Sequence, residues 1–186
     1  PFALGRRLES DGPATFWKHV LFRVAMLWFM GGCVQGNWAA LDPQTFCPFA
    51  NTLQAIAAGY LAVAVAMSFR RRWLMFAAPL ILAAAYTAIL AADGGYDKFD
   101  NAAFKVDQAV FRAILPATNS YVARAGHCSG VHSYTWILTS CMFAAMTFCG
   151  YHATKIVLTG WTKGRKVLGL LGFSAALFAV GFVSEI

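Results

Sequence analysis

Residues 70–92 read RRRWLMFAAPLILAAAYTAILAA, three arginines followed by a long run without a charge. At about 1.5 Å per residue, the run 73–92 would cross the roughly 30 Å hydrocarbon core of a bilayer as one α-helix. Positive charges beside such a run are retained on the cytoplasmic or matrix side of a membrane. This stretch therefore predicts both a transmembrane helix and its direction.

Four further apolar runs of similar length occur along the chain, at 24–41, 46–69, 131–154 and 167–184. Hydrophobic residues make up 59% of the 186 residues and charged residues 12%, whereas about a quarter of a soluble protein is charged. The sequence therefore predicts an all-α integral membrane protein with a bundle of about five transmembrane helices. We expect one membrane domain over 1–186, within which 1–17 form an N-terminal segment without the apolar core of a signal peptide.

The basic residues are distributed unevenly between the gaps that separate the five runs. If the N-terminus lies on side A, the gaps on that side hold eleven of the fifteen basic residues: Arg6, Arg7, Lys18, Arg23, Arg70, Arg71, Arg72, Lys155, Lys163, Arg165 and Lys166. The positive-inside rule makes side A the cytoplasmic or matrix face. With five spans, the C-terminus is expected on the opposite face, side B.

The connection 93–130 is the only gap long enough for a structure of its own. Within it, Lys98, Lys105 and Arg112 recur at helical spacing on a polar face, while Phe99 and Ile114 belong to the opposite, apolar face. Asp97 is the expected N-cap. The pattern predicts an amphipathic helix at 98–115, lying in the side B interface or against the end of the bundle, with a short soluble helix on its own loop as the alternative.

Small residues are concentrated in the second and third runs, including a ridge of Ala58, Ala62 and Ala66. Small residues allow helix backbones to approach closely inside a bilayer. We expect these two runs to form a tight hairpin that turns at the arginine cluster.

The five cysteines contain no CxxC pair, which disfavours a zinc-ribbon site or a thioredoxin-like redox centre. Cys47 and Cys128 are the two that fall in side B gaps, where the compartment permits disulfides. A Cys47–Cys128 disulfide is therefore a hypothesis that the spacing of the two Cα atoms must decide.

A haem or pigment site and a protease-like serine are two further hypotheses, and the sequence supports them less. His19 and His152 fall at side A, and His127 and His132 at side B, so haem or pigment ligation is conceivable without a specific motif. Ser129 and Gly130 are similar to the Ser-Gly of intramembrane proteases over two or three residues only. The His downstream would lie roughly 30 Å away along the same helix, too far for a catalytic base.

We therefore predict a non-catalytic accessory subunit of a larger energy-transducing membrane complex, of the respiratory complex or ATP synthase type, in the mitochondrial inner membrane. The expected partners are other membrane subunits and anionic lipids such as cardiolipin, with no cofactor and no nucleic acid. The predicted lipid-binding residues are Arg70, Arg71, Arg72, Lys163, Arg165 and Lys166. The alternatives are a haem- or quinone-binding electron-transfer subunit and a small stand-alone transporter or lipid enzyme.

Overall fold

A computed structural model describes residues 12–49, 51–93, 101–115, 118 and 137–183 of the chain. Throughout this part of the chain the secondary structure is helical, without a strand. The helices are α1 (Gly12–Gln35), a 3₁₀ turn (Trp38–Ala40), α2 (Thr52–Ser68), α3 (Arg72–Asp93), α4 (Ala102–Ile114), α5 (Ser140–Leu158) and α6 (Lys163–Val183). The prediction of an all-α protein is confirmed.

Two of these helices, α3 and α5, are long and apolar enough to cross a bilayer, and α2 is a shorter apolar helix of 17 residues. Both helices meet this requirement by their length and composition. The bundle of five spans predicted from the sequence is therefore not confirmed. The helix closest to its predicted bounds is α3, which continues through Pro79.

The predicted bounds of the first two spans are wrong. Helix α1 begins at Gly12 and ends at Gln35, so Lys18 and Arg23 lie inside it and not before it. Helix α2 begins at Thr52 because Asn51 and Gln54 form a capping box. Gln54 Oε1 accepts from the N–H of Asn51, and the Asn51 side chain accepts from the N–H groups of Leu53 and Gln54. The intervening residues form turns although they are apolar.

Helix α2 lies at the centre of the bundle, between α1 and α5. Val20 of α1 packs against Ala64, while the carbonyl of Trp28 lies near Gln54, so α1 and α2 are antiparallel. Phe143 packs near Ala55, and Phe148 of α5 packs near Ala66, so α2 and α5 are parallel. Met75 of α3 lies beside His152, and α3 and α5 are antiparallel.

This arrangement gives the bundle two distinct ends. At one end, here called the basic end because it holds Arg70, Arg71 and Arg72, helices α1 and α3 begin and helices α2 and α5 end. At the opposite end, here called the capped end, lie residues 36–49 and helix α4.

The predicted tight hairpin between the second and third runs is wrong. Helices α2 and α3 touch each other much less than each of them touches α5. The close approach is instead between α2 and α5, where a Cβ built on Gly59 would lie 2.9 Å from the carbonyl oxygen of Phe143. Gly59 of α2 therefore permits the close contact with α5.

Helix α4 packs against the end of the bundle, as one form of the prediction stated, with Phe111 in contact with Cys47, Phe49 and Ala55. Its N-cap is Asn101, whose side chain accepts from the N–H of Phe104 at 2.9 Å, whereas the predicted cap Asp97 lies outside the described residues. The buried face contains Phe104, Asp107 and Phe111, and Ile114 is exposed. The buried face is thus rotated from the one that the sequence pattern indicated.

Helix α6 has no buried residue among those whose side chains the structure describes. Leu168 is 74% exposed and Phe178 is 77% exposed, and in the described part of the chain the helix packs on α5 over a small contact. This 21-residue helix therefore exposes a large apolar surface, which is unfavourable in water.

Candidate functional site

The two predicted basic clusters lie at the same end of the bundle. Arg70, Arg71 and Arg72 are exposed in the turn from α2 to α3, and Arg70 adopts a left-handed backbone conformation at φ 54°. That conformation is uncommon for a residue with a side chain, and here it permits a turn of three residues between two helices. The turn presents three guanidinium groups beyond the apolar surface.

The second cluster opens α6. Lys163 and Arg165 are exposed and Lys166 is half-buried, all within the first turn of the helix. Within the described ranges, none of the six clustered residues forms an ion pair. Uncompensated basic side chains at two helix N-termini favour an anion, because the backbone N–H groups there add their own positive potential.

His152 is held inside the bundle near the basic end. Its Nε2 donates to the carbonyl oxygen of Met75 at 2.9 Å, and its ring stacks on Phe76 with centroids 4.3 Å apart. The carbonyl accepts only, so the hydrogen bond assigns the proton to Nε2. That nitrogen is therefore occupied by a backbone contact.

The remaining histidines give no further site within the described residues. His19 is exposed on α1, and His127 and His132, like Ser129, lie outside them. No group of three His, Cys, Asp or Glu side chains in the described part of the chain is arranged to hold a metal ion.

The capped end is organised by polar contacts to the backbone. Gln54 is fully buried, and its Nε2 donates to the carbonyl oxygen of Pro48 at 3.0 Å while its Oε1 accepts from the N–H of Asn51 at 3.1 Å. Trp38 Nε1 donates to the carbonyl oxygen of Cys47 at 2.6 Å. These bonds satisfy groups that would otherwise be buried without partners, so their role is structural.

Asp107 of α4 is the buried carboxyl group of this end, with 3% of its surface exposed. Its Oδ1 accepts from the N–H of Ile137 at 2.9 Å. Burial raises the pKa of Asp107 to about 7, and the hydrogen bond from Ile137 acts in the lowering direction. This hydrogen bond joins α4 to Ile137, three residues before α5 begins at Ser140.

Cys47 is buried and disulfide-bonded. Cys33, Cys141 and Cys149 are free thiols, and Cys128 lies outside the described residues. The structure thus agrees with the hypothesis that Cys47 is oxidised, and the identity of its partner stays a prediction.

Comparison of the chain with known protein families, with curated proteins and with solved structures finds no match. Its function must therefore be argued from its own residues.

Three features of the site were missed from the sequence alone. Asp107 was not singled out, because nothing in its spacing distinguishes it from a solvated side chain on α4. Gln54 was not singled out either, although the Asn51-x-x-Gln54 spacing is a helix-start signature. His152 was considered as a metal ligand and not as a donor to another helix.

Proposed function

We propose that this chain is a non-catalytic, multi-span accessory subunit of a larger energy-transducing membrane complex, of the respiratory complex or ATP synthase type. Its contribution is helix-to-helix contact with other membrane subunits and contact with lipid. We place the complex in the mitochondrial inner membrane, where multi-span accessory subunits are common.

The observation that carries the proposal is the uncovered apolar surface of α6 and α3. Helix α6 has no buried residue among those described, and only 6% of the apolar window of α3 is buried. Exposed apolar surface of this extent is normally covered by lipid or by another protein. A helix that touches its own chain so little is well suited to contact a neighbouring subunit.

We further propose that α1, α2, α3, α5 and α6 all cross the membrane, with the basic end on the matrix or cytoplasmic side. The co-location of the two basic clusters at one end supports this orientation, since the positive-inside rule requires them on one face. The N-terminus would then lie on the matrix side and the C-terminus on the other. Single cysteines introduced near residues 5 and 186, on a background without the native free thiols, should react with an impermeant reagent from opposite faces.

The basic clusters are proposed to hold the headgroups of anionic lipids such as cardiolipin. Each basic residue near a membrane surface contributes about 1 kcal/mol of attraction to anionic lipid. Replacing Arg70, Arg71 and Arg72 by Gln should lower the cardiolipin that co-purifies with the chain, and Arg112→Gln, which removes one of the exposed cations of α4, should not. An unchanged cardiolipin content in the triple variant would leave these arginines as determinants of topology alone.

The test of the subunit proposal is the native mass of the tagged chain after extraction in a mild detergent. We expect it to co-migrate with a complex several times its own 20.2 kDa. The variant Leu168→Ala with Phe178→Ala should weaken that association, whereas Leu80→Ala with Ile81→Ala, matched in exposure on α3, reports whether the effect is specific to α6. A stable monomer with its own visible chromophore or turnover would contradict the proposal and favour the electron-transfer or enzyme alternative.

A further inference from the structure

The buried face of α4 carries a carboxyl group in the middle of an apolar stripe. Phe104, Asp107 and Phe111 follow each other at intervals of three and four residues, so their side chains share one face of the helix. All three are buried, and Phe111 contacts Cys47 and Phe49. The carboxyl group of Asp107 is therefore enclosed whenever α4 is packed on the capped end.

Asp107 has one carboxyl oxygen with a partner and one without. Its Oδ1 accepts from the N–H of Ile137, whereas Oδ2 has no hydrogen bond in the described part of the chain. Buried polar groups in proteins nearly always have partners, so an unpaired oxygen at this position requires an explanation. Burial disfavours the negative charge of a carboxylate strongly, while the neutral, protonated group costs much less to bury. The packed position of α4 therefore selects the protonated form of Asp107.

Among the described residues, no neighbouring cation offsets a negative charge on Asp107. On α4 itself, Lys105 and Arg112 are exposed, and Lys105 pairs with Asp93 of α3 at 2.8 Å. The other titratable groups of the capped end are Cys33 on α1, Tyr86 on α3, Cys141 on α5, and Asp42 and the oxidised Cys47 in residues 36–49, while α2 has none before Tyr60. Burial is the largest influence on the pKa of Asp107 and raises it, and the hydrogen bond from Ile137 lowers it in part.

The remaining attachment of α4 to the bundle is limited. Its contact with α3 is small compared with the contacts of α2 with α1 and α5. The ion pair of Lys105 with Asp93 is exposed, and such pairs contribute little to stability. A helix of 13 residues is only marginally stable in water by itself, so α4 would lose its helical hydrogen bonds on leaving the bundle. Release of α4 can therefore be followed at its own backbone amides.

We infer that Asp107 is a pH-sensitive switch, which holds α4 on the capped end while it is protonated and releases α4 when it ionises. The contacts of Val20 with Ala64 and of Phe148 with Ala66 do not involve α4, so α1, α2, α3 and α5 stay packed in the released form. The inference concerns the opening of one helix and not the unfolding of the chain. It rests on neither the membrane location nor the subunit role proposed above.

The direction of the pH dependence follows from the pKa of Asp107 in the two forms. The pKa is about 7 when α4 is packed, against the ordinary value of 3.8 for an Asp side chain in water. Between about pH 4 and pH 7 the packed form holds a proton that the released form has lost, so the equilibrium constant for release rises about tenfold per pH unit. Over the whole window the rise is about a thousandfold, and the constant is level below and above it.

The test is hydrogen–deuterium exchange of the detergent-purified full chain between about pH 5 and pH 8, with mass spectrometry of the peptides and correction for the intrinsic pH dependence of exchange. Protection of the α4 amides should fall about tenfold per pH unit up to about pH 7 and then level off. The amides of α2 should stay more protected than those of α4 at every pH. Asp107→Asn should remove the pH dependence of α4, because Asn does not ionise. Asp93→Asn is the matched control, since it removes an exposed carboxylate and should leave the pH profile unchanged.

Protection of α4 that does not change with pH in the parent chain would overturn the inference, and this result does not depend on the folding of any variant. Equal protection of α4 and α2 at every pH would mean that the whole bundle opens at once, which would also overturn it. A pH dependence that survives Asp107→Asn, or that disappears in Asp93→Asn, would assign the effect to another group and have the same consequence.

Discussion

The Nε2 atom of His152 lies 2.9 Å from the carbonyl oxygen of Met75, the acceptor that Pro79 leaves without its helical donor. In an α-helix the carbonyl of residue 75 would accept from the N–H of residue 79, and proline has none. A histidine from α5 thus supplies the bond that α3 lacks. This explains how a proline is accommodated in the interior of an apolar helix.

His152→Phe should keep the ring stack on Phe76 but leave the Met75 carbonyl unpaired. We expect a loss of about 1 kcal/mol in the free energy of unfolding in detergent, since hydrogen bonds between membrane helices contribute about that much. In a Pro79→Ala background, where residue 79 regains its N–H, the same substitution should cost much less. His19→Phe on exposed α1 is the control, and an equal loss in both backgrounds would show that the two sites are independent.

Asp107 should make stability fall as pH rises. Its pKa is about 7 in the folded chain against the ordinary value of 3.8 for an Asp side chain, so between about pH 4 and pH 7 the folded chain binds a proton that the unfolded chain has released. Stability is therefore fully present below pH 4, falls through this window and levels off above it. The change is up to about 4 kcal/mol.

Asp107→Asn should abolish that pH dependence, because Asn keeps an oxygen that can accept from Ile137 but does not ionise. At pH 8 the variant should be more stable than the parent chain in denaturant titrations. Asp93→Asn, which breaks the 2.8 Å ion pair with exposed Lys105, should change stability by less than about 1 kcal/mol and keep the pH profile. A parent chain whose stability is flat between pH 4 and pH 7 would contradict this prediction.

Cys47 should be bonded to Cys128, because three of the other four cysteines are free thiols. Alkylation of the denatured, unreduced chain should therefore modify Cys33, Cys141 and Cys149 and spare the other two. Peptide mapping without reduction should recover residues 47 and 128 in one cross-linked species. A disulfide-linked dimer on a non-reducing gel would instead place the partner in a second chain.

Gly59→Ala should separate α2 from α5. The new Cβ would lie 2.7 Å from Thr147 Oγ1 and 2.9 Å from the carbonyl oxygen of Phe143, closer than ordinary contacts. The backbone of α5 cannot move without shifting the helix, so we expect a destabilisation of about 1–3 kcal/mol. Gly150→Ala is the matched control, because nothing lies within 4 Å of its Cβ position and alanine favours a helix.

The sequence predicted helical segments well and their ends poorly. The bounds of α3 were nearly correct because an arginine cluster and Asp93 mark both ends of the run. The start of α1 was displaced because hydropathy excludes Lys18 and Arg23, whereas helix formation does not depend on hydropathy. The start of α2 depends on the hydrogen bonds of Asn51 and Gln54, which an apolar window does not detect.

The contacts of the candidate site join segments that are far apart in the chain, and most of them could not be predicted from the sequence. The grouping of Arg70 with Lys163 followed from charge alternation, and the structure places both at one end. By contrast, the bonds of Asp107 to Ile137 and of His152 to Met75 join residues 30 and 77 positions apart. Periodicity reports only neighbours within a helix, so no pattern in the sequence pointed to either contact.

Helix α5 packs on both α2 and α3, yet it begins at Ser140, long after those helices have left the ribosome. During synthesis, the surfaces of α2 and α3 that contact α5 therefore stay uncovered until α5 has emerged, and Gly59 and His152 can make their contacts only then. Apolar surfaces that stay uncovered during synthesis favour misassembly. The bundle is consequently completed only near the end of synthesis.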